Sequence, residues 1–552
     1  MNTEVAPGTS LNRARREREL TELDEGAPVD LVVVGGGVTG AGAALDAAAR
    51  GLTVALLEAR DLAFGTSRWS SKLVHGGLRY LASGDVGLAR ESALERDILM
   101  RAVAPHLIRA LPTLLPLYAG EHARRSAALA GVGLRVADLL RASAGTPRDV
   151  LPGPRRLSAT ETAHLSPNLR EDGLRGGYLY WDGQLADDAR LVVAVARTAA
   201  GLGARIITRC RVHGVGPEGV RAVDTLTGTP VLVRARAVVN ATGVWAGTLA
   251  PGVRLRPSRG THLVLPGGSA GPLGGSRVAL TVPVPGAANR YVLLLPQPGG
   301  RIYLGLTDDE VPAVTDVPEP TPGDVEFLLR VASTALRAPI DRADVLGAFA
   351  GLRPLLAGSS ARTSDLSRRH AVLTGPDRVV TVVGGKLTTY RRMAADAVDA
   401  AVAAGGLAPP RPSPTATLPL VGAAPPAVLA ALAGQLAERI AAPSASSAPS
   451  SGASAAVSAA PAARAAALAQ SLLGRFGTEA AAVVAAGPPA PVAESESGSG
   501  LTGAEVTFAV RHELALDAAD VLDRRSRLGL VPRERAAALP AVRAMVDGVT
   551  AR

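Results

Sequence analysis

Leu31-Val32-Val33-Val34-Gly35-Gly36-Gly37-Val38-Thr39-Gly40 is the stretch that decides how this chain is read. Its four leading apolar residues make a run short enough for a buried parallel strand. The glycines fit G-x-G-x-x-G at Gly35, Gly37 and Gly40. Residues 41–50 are rich in alanine, a good helix former, and Gly51 stops that helix. Thr53-Val54-Ala55-Leu56-Leu57 reads as a second strand, with Glu58 at its end. Strand, glycine turn, helix, strand and acid is the order a dinucleotide-binding fold needs. Gly35 allows the tight turn, Gly37 lets a pyrophosphate approach the backbone, and Gly40 lets the helix pack close to the strand. The free N–H groups at the helix start face the phosphates. Glu58 accepts from ribose hydroxyls, and its charge repels a 2′-phosphate.

The residues after Glu58 separate one dinucleotide from another. Thr66-Ser67-Arg68-Trp69-Ser70-Ser71-Lys72-Leu73-Val74-His75-Gly76-Gly77-Leu78-Arg79-Tyr80 is dense in donors and short of apolar residues. An NAD enzyme usually begins another crossover here. Hydroxyls and small residues instead suit a flavin, whose ring must be held deep in the protein. The block Ser70-Ser71-Lys72-Leu73-Val74-His75-Gly76-Gly77-Leu78-Arg79-Tyr80 closely resembles the FAD-dependent glycerol-3-phosphate dehydrogenases, the respiratory kind that feed electrons to quinone. The resemblance implies an α/β fold. Its core is an FAD-binding, Rossmann-like two-dinucleotide-fold domain of the glycine-oxidase type. An antiparallel β substrate domain and a C-terminal helical domain complete it.

Composition sets the outer limits. The chain has 552 residues, enough for two or three domains with a substantial core. Hydrophobic residues make up 47%, so most of it can fold. No stretch reaches the roughly eighteen uncharged apolar residues of a spanning helix. Residues 1–28 carry Arg13, Arg15, Arg16 and Arg18 but no apolar signal-peptide core, and read as a disordered arm. A single cysteine, Cys210, excludes a disulfide framework and any cysteine-based metal site, and no metal is expected. It suits a reducing, cytoplasmic setting. The formal charge of +10 admits nucleic acid, an anionic membrane surface or an anionic substrate as partner. Aromatic residues are only 3% of the chain, so stacking platforms are scarce and nucleic acid is not expected. There are only two lysines, Lys72 and Lys386, and every other basic side chain apart from histidine is arginine. A bias that replaces lysine wherever arginine serves spares positions that need a compact ammonium or a shiftable pKa.

Along the chain, 86–103 reads as a helix. Residues 105–149 mix Leu and Ala with Arg109, Arg124, Arg125 and Arg135. They form a basic, apolar insertion, either a buried helical piece or a membrane-facing surface. Asp187 is placed as the N-cap of a helix over 188–202. Ala237-Val238-Val239-Asn240-Ala241-Thr242-Gly243 is a strand ending in small residues that let a ligand approach, with Ala241, Thr242 and Gly243 at the turn. From 254 to 344 strands predominate, forming the substrate sheet, and His262 starts one of them. Val379-Val380-Thr381-Val382-Val383-Gly384-Gly385-Lys386-Leu387-Thr388 is a buried strand, a glycine pair and a helix start. Residues 29–104, 150–253 and 345–405 make up the discontinuous FAD-binding domain. The C-terminal domain covers 406–552, with Ser/Ala/Pro-rich insertions near 441–462 and 485–500 read as disordered. A helix is expected over 506–530.

The resemblance covers 30–405 and returns near 503–547; the middle of the C-terminal domain departs from it. It implies oxidation of sn-glycerol 3-phosphate at C2 to dihydroxyacetone phosphate. A hydride passes to flavin N5, and electrons go on to quinone. It makes His262, Arg353 and Lys386 the catalytic candidates, with Arg79, Tyr80 and Arg368 joining them around the substrate. It assigns the FAD contacts to Gly35, Gly37, Gly40, Glu58, Thr66, Ser67, Ser71, Lys72, Leu73, Ala241, Thr242, Gly243, Gly385, Lys386, Leu387 and Thr388. The turn after Gly385 resembles the family's flavin-ring turn, where a helix N-terminus stabilises the charge of the reduced ring. The implied location is cytoplasmic, peripherally attached to the inner face of the membrane, with a homodimer left open. Three alternatives stand beside this reading: a glycerol-3-phosphate oxidase using O2, a related flavin amine or amino-acid oxidase, and a basic nucleic-acid-binding protein.

Overall fold

The computed structural model describes residues 3–82, 84–120, 123–216, 218–287, 290–357, 369–375, 377–442, 455–493 and 500–551. Of 79, 82, 123–127, 455–460 and 493 it describes the backbone alone.

The apolar run at the start of the glycine stretch is the strand Val29–Val34, in the middle of an eight-stranded sheet. It pairs in parallel with Val54–Leu57 on one side and Pro230–Asn240 on the other. Val379–Gly384 and Arg205–Ile207 extend the parallel core outward. Alternation sends side chains to two different cores. Leu31, Val33 and Leu56 face the helices Val38–Ala49, Asp188–Gly201 and Tyr390–Gly405. Val32, Val34, Ala55 and Leu57 face the other way, onto Leu20, Leu23, Val220 and Val233.

The second sheet has ten strands and is almost wholly antiparallel. Leu255–Pro266 lies beside Gly347–Leu356, with His262 opposite Phe349 and Ser258 opposite Arg353. Cross-strand pairs share a face, so this register puts the histidine and the arginine on one side of the sheet. The helix Pro322–Ser333 packs against the other side. The C-terminal segment is helical, with Pro426–Ala441, Ala455–Phe476, Gly503–His512 and Pro532–Thr550 as its main pieces.

Several expectations change. Residues 3–28, the described part of the segment read as a disordered arm, are ordered. Asn12 caps the helix Arg13–Glu25, which buries Leu20, Leu23 and Arg16. The Arg16 guanidinium pairs with Asp224, which is how so polar a segment is held to the body. The insertion 105–149 divides in two. Its first half is the strand Ile108–Tyr118 inside the second sheet. Pro112 and Pro116 argue against a central strand. They are tolerated because the neighbour Ala279–Pro283 pairs only with Thr113 and Leu114 between them. Leu174–Leu185 and Gly347–Leu356, expected within the FAD-binding domain, belong to the substrate sheet, which is therefore wider than 254–344. Of the two insertions read as disordered, 443–454 and 494–499 lie outside the described residues, while Ala455–Phe476 and Ala480–Ala485 are helices. The helix expected over 506–530 ends at His512 and resumes only in short turns, Ala518–Asp520 and Val521–Arg525. Asp187 does cap its helix, accepting from the Arg190 N–H.

Candidate active site

The glycine turn is built by close approach. Gly35 has φ +109, and a Cβ there would stand 2.7 Å from the Ala241 carbonyl oxygen. A Cβ on Gly40 would stand 1.9 Å from the Gly35 carbonyl oxygen. Side chains at either position would push the helix, the first strand and the Ala241 turn apart. At the helix start the Val38 N–H donates to Ser67 Oγ at 2.9 Å. Glu58 accepts from the Gly36 N–H at 2.6 Å and the Arg60 N–H at 2.7 Å. Burial raises the Glu58 pKa, and these two backbone bonds oppose the shift.

A cavity of about 2340 Å³ is lined by this turn and by strands of the second sheet. Small-ligand pockets span roughly 300–1,000 Å³, so there is room for a dinucleotide and a second ligand end to end. Gly35, Gly37, Glu58, Thr66, Ser67, Ser71, Leu73, Tyr80, Ala241, Thr242, Gly243, His262, Arg353, Gly385, Lys386, Leu387 and Thr388 all line it. Residues from both ends of the FAD-binding region thus share one wall system. Gly40 lies behind the wall as a packing glycine. Arg79 is described only in its backbone, within the helix Leu78–Ala82, and Arg368 lies outside the described residues.

Lys72 is not on the wall. Its ammonium is buried and donates to the Arg68 carbonyl at 3.0 Å, the Ser70 carbonyl at 2.9 Å and Asp188 Oδ2 at 2.8 Å. An ammonium has three protons, so all are used inside the protein. Burial, and then the Arg527 charge, bring its pKa down to about 8. A side-chain contact from Lys72 to a bound cofactor is therefore ruled out in this arrangement.

His262 is buried and stacks on Phe349, with ring centroids 4.9 Å apart. Its Nε2 shares a hydrogen bond with Ser71 Oγ at 2.8 Å. Burial first, then the charges of Lys72 and Arg353, push its pKa down to about 3. The imidazole is neutral at pH 7, and an arriving anion would raise its affinity for a proton. Arg353 donates to Ser258 Oγ at 3.2 Å, Asp308 Oδ1 at 3.1 Å and the Thr307 carbonyl at 3.2 Å. Its guanidinium lies across Gly260, where a Cβ would come within 2.3 Å of Nη2. The Lys386 ammonium stands 4.2 Å from the centroid of the Tyr80 ring and donates to Ser92 Oγ.

Sequence reasoning missed the groups that hold these side chains: Asp308, Ser258 and Phe349 around the sheet, and Ser92 beneath Lys386. Alternation along Gly347–Leu356 places Phe349, Gly351 and Arg353 on one face and could have found Phe349. The Ser92 and Asp308 contacts carry no local pattern. His75, Asp182, Thr281, Arg290 and Tyr291 also line the cavity.

The residues fit a flavin dinucleotide. A helix N-terminus and glycine turn suit a pyrophosphate, a half-buried acid suits a ribose, and a second glycine turn, Gly384-Gly385, lines the same cavity. A dinucleotide turn, a half-buried acid and a polar cluster opening on one cavity are the features of a flavin-dependent oxidoreductase. The chain belongs to the FAD dependent oxidoreductase family, whose model matches residues 30–391; residues 413–550 match the C-terminal domain of alpha-glycerophosphate oxidase. It is 50% identical over 536 residues to glycerol-3-phosphate dehydrogenase 1 of Mycobacterium tuberculosis, covering 95% of this chain and 96% of that one. It is 41% identical over 401 residues to the glycerol-3-phosphate dehydrogenase of Mycobacterium leprae, covering 70% and 65%. Among solved structures it resembles the glycerol-3-phosphate dehydrogenase from Bacillus halodurans complexed with FAD. The TM-score is 0.71 at 24% identity, covering 98% of this chain and 94% of that one. It also resembles the L-alpha-glycerophosphate oxidase from Mycoplasma pneumoniae with FAD bound, at TM-score 0.54 and 18% identity, covering 71% and 99%. Both structural likenesses speak for the fold.

Proposed function

We propose that this protein oxidises sn-glycerol 3-phosphate to dihydroxyacetone phosphate with FAD and passes the electrons to a membrane quinone. The observation that supports the reaction is that His262, Arg353, Lys386 and Tyr80 all border the cavity that the two glycine turns also line. FAD, when bound, supplies the acceptor for the C2 hydride. The chain supplies the rest. Lys386 and Arg353 attract the phosphate dianion, for which charge-assisted hydrogen bonds are worth about 1.5–3 kcal/mol each. Tyr80 adds a neutral donor. Arg79 and Arg368 belong to the same proposed set. Neutral His262 takes the hydroxyl proton as the hydride leaves, so proton and hydride depart from the same carbinol. The mycobacterial relatives, at 50% identity over nearly the whole chain, support this substrate.

The acceptor is read from the apolar part of the cavity's lining. The helix Ala123–Ser143 borders it through Leu129, Val132 and Val136, and Leu129 and Val132 are 73% and 57% exposed. Leu139 on the same helix is 69% exposed, and Arg135 is exposed beside them. An apolar rim with a basic edge suits docking on an anionic bilayer, here the inner face of the cytoplasmic membrane. Arg109, from the half of the insertion that became a strand, donates instead to Gln184 within the sheet and leaves this proposal. Among the described residues no helix is long and apolar enough to cross a membrane. The test is turnover of the flavin-loaded protein with sn-glycerol 3-phosphate. Reduction of a soluble quinone without peroxide release supports the reading. Peroxide formed in air at the same rate makes it an oxidase.

A further inference from the structure

The buried carboxylates beside the active-site loop carry an inference that rests on the proposed reaction. Asp188 is fully buried at the start of the helix Asp188–Gly201. Its Oδ2 accepts from the Ser70 N–H at 2.9 Å, Ser70 Oγ at 2.7 Å and Lys72 Nζ at 2.8 Å. Its Oδ1 accepts from the Ala189 N–H and from Arg527. Arg527 also pairs with Asp187 and comes from the C-terminal domain, 339 residues away from Asp188. Two carboxylates and two cations thus balance in a buried cluster.

Ser71 lies between the two loop residues that Asp188 grips, and its hydroxyl is the partner of His262. The same lysine stands 5.0 Å over the Phe349 ring on which His262 stacks. We infer that Arg527 is a positioning residue for the reaction: by bridging Asp187 and Asp188 it fixes residues 70–72, and through Ser71 it sets the orientation of His262. The planar guanidinium holds its donors in a rigid fork aimed at both carboxylates, a geometry that a lysine's flexible point charge does not reproduce. Among the described residues this chain of contacts ends on the His262 ring, so the larger effect is expected on turnover and the smaller on substrate affinity.

The experiment uses flavin-loaded wild type, Arg527→Lys, Ser71→Ala and the double variant. Arg527→Lys keeps the charge and loses the bridge. It is expected to keep its flavin, to lower kcat by about tenfold, as small misplacements do, and to leave KM nearly unchanged. His262 should be carbethoxylated faster by diethyl pyrocarbonate in both single variants, read by peptide mass spectrometry. The double variant should be no worse than Ser71→Ala alone, because one path is cut twice. Should Arg527→Lys not fold, Asp187→Asn removes one end of the bridge while keeping a good helix cap, with the same outcomes expected. Additive losses, an unchanged His262 modification rate, or loss of flavin from the variant would overturn the inference. Wild type that turns over no sn-glycerol 3-phosphate would overturn the reaction reading instead, and the His262 modification rates would still decide the positioning role.

Discussion

The chain's two lysines occupy opposite kinds of place. Lys72 spends its three protons on two carbonyls and Asp188, sealed from the cavity. Lys386 stands on the cavity wall above Tyr80, anchored to Ser92. Both sites hold a compact ammonium, in a chain that uses arginine at every other basic position apart from histidine. The difference lies in what each charge faces. One meets a carboxylate the protein already owns and holds a loop; the other faces the cavity proposed to take the substrate's dianion. Residue type and rarity mark both positions, and only the fold separates architecture from chemistry.

If that contrast holds, the two Lys→Met variants fail in different ways. Lys72→Met leaves Asp188 buried without its ammonium and should cost about 3–5 kcal/mol of stability, the usual loss on breaking a buried pair. Denaturant unfolding of the flavin-loaded protein measures it; wild-type stability would mean that Arg527 alone satisfies the carboxylate. Lys386→Met should keep its stability and flavin but lose about 2.7–4 kcal/mol of transition-state stabilisation, seen in kcat/KM. Near-normal turnover would remove Lys386 from the site.

Acid sharpens the comparison, because Lys72 and Arg353 both repel a proton from His262. Above pH 6.5 the imidazole is neutral in the folded and unfolded chain alike. As pH falls from 6.5 toward about 3, the unfolded chain takes up a proton that the folded one refuses, so stability falls through that window. His262→Gln should flatten this part of the Tm–pH curve; an unchanged slope would show that other groups set it. The smallest effect is at the rim. Arg135→Gln should weaken pelleting with anionic liposomes by about 1 kcal/mol at low salt, and the difference should vanish at high salt. If wild type itself stays in the supernatant, the membrane surface lies elsewhere or does not exist.

What the sequence made legible is what neighbours in the chain can specify. Gly35, Gly37, Gly40 and Glu58 form a local pattern with a fixed order, and the structure assembles them as that order requires. His262, Arg353 and Lys386 are named from resemblance, and all three line the cavity. Lys72 was misplaced because its partner Asp188 is 116 residues away. The helix Arg13–Glu25 was missed for a similar reason: Arg16 reads as a solvated charge until Asp224 is brought to it across 208 positions. Ile108–Tyr118 was hidden by prolines whose harmlessness depends on how short its second ladder is.

The central claim is that this cavity couples FAD to sn-glycerol 3-phosphate. An anaerobic titration of the purified, flavin-loaded protein tests it most directly. Added sn-glycerol 3-phosphate should bleach the flavin absorbance, with one dihydroxyacetone phosphate formed per flavin reduced. A flavin that stays oxidised with this substrate, yet bleaches with an amino acid, would contradict the account.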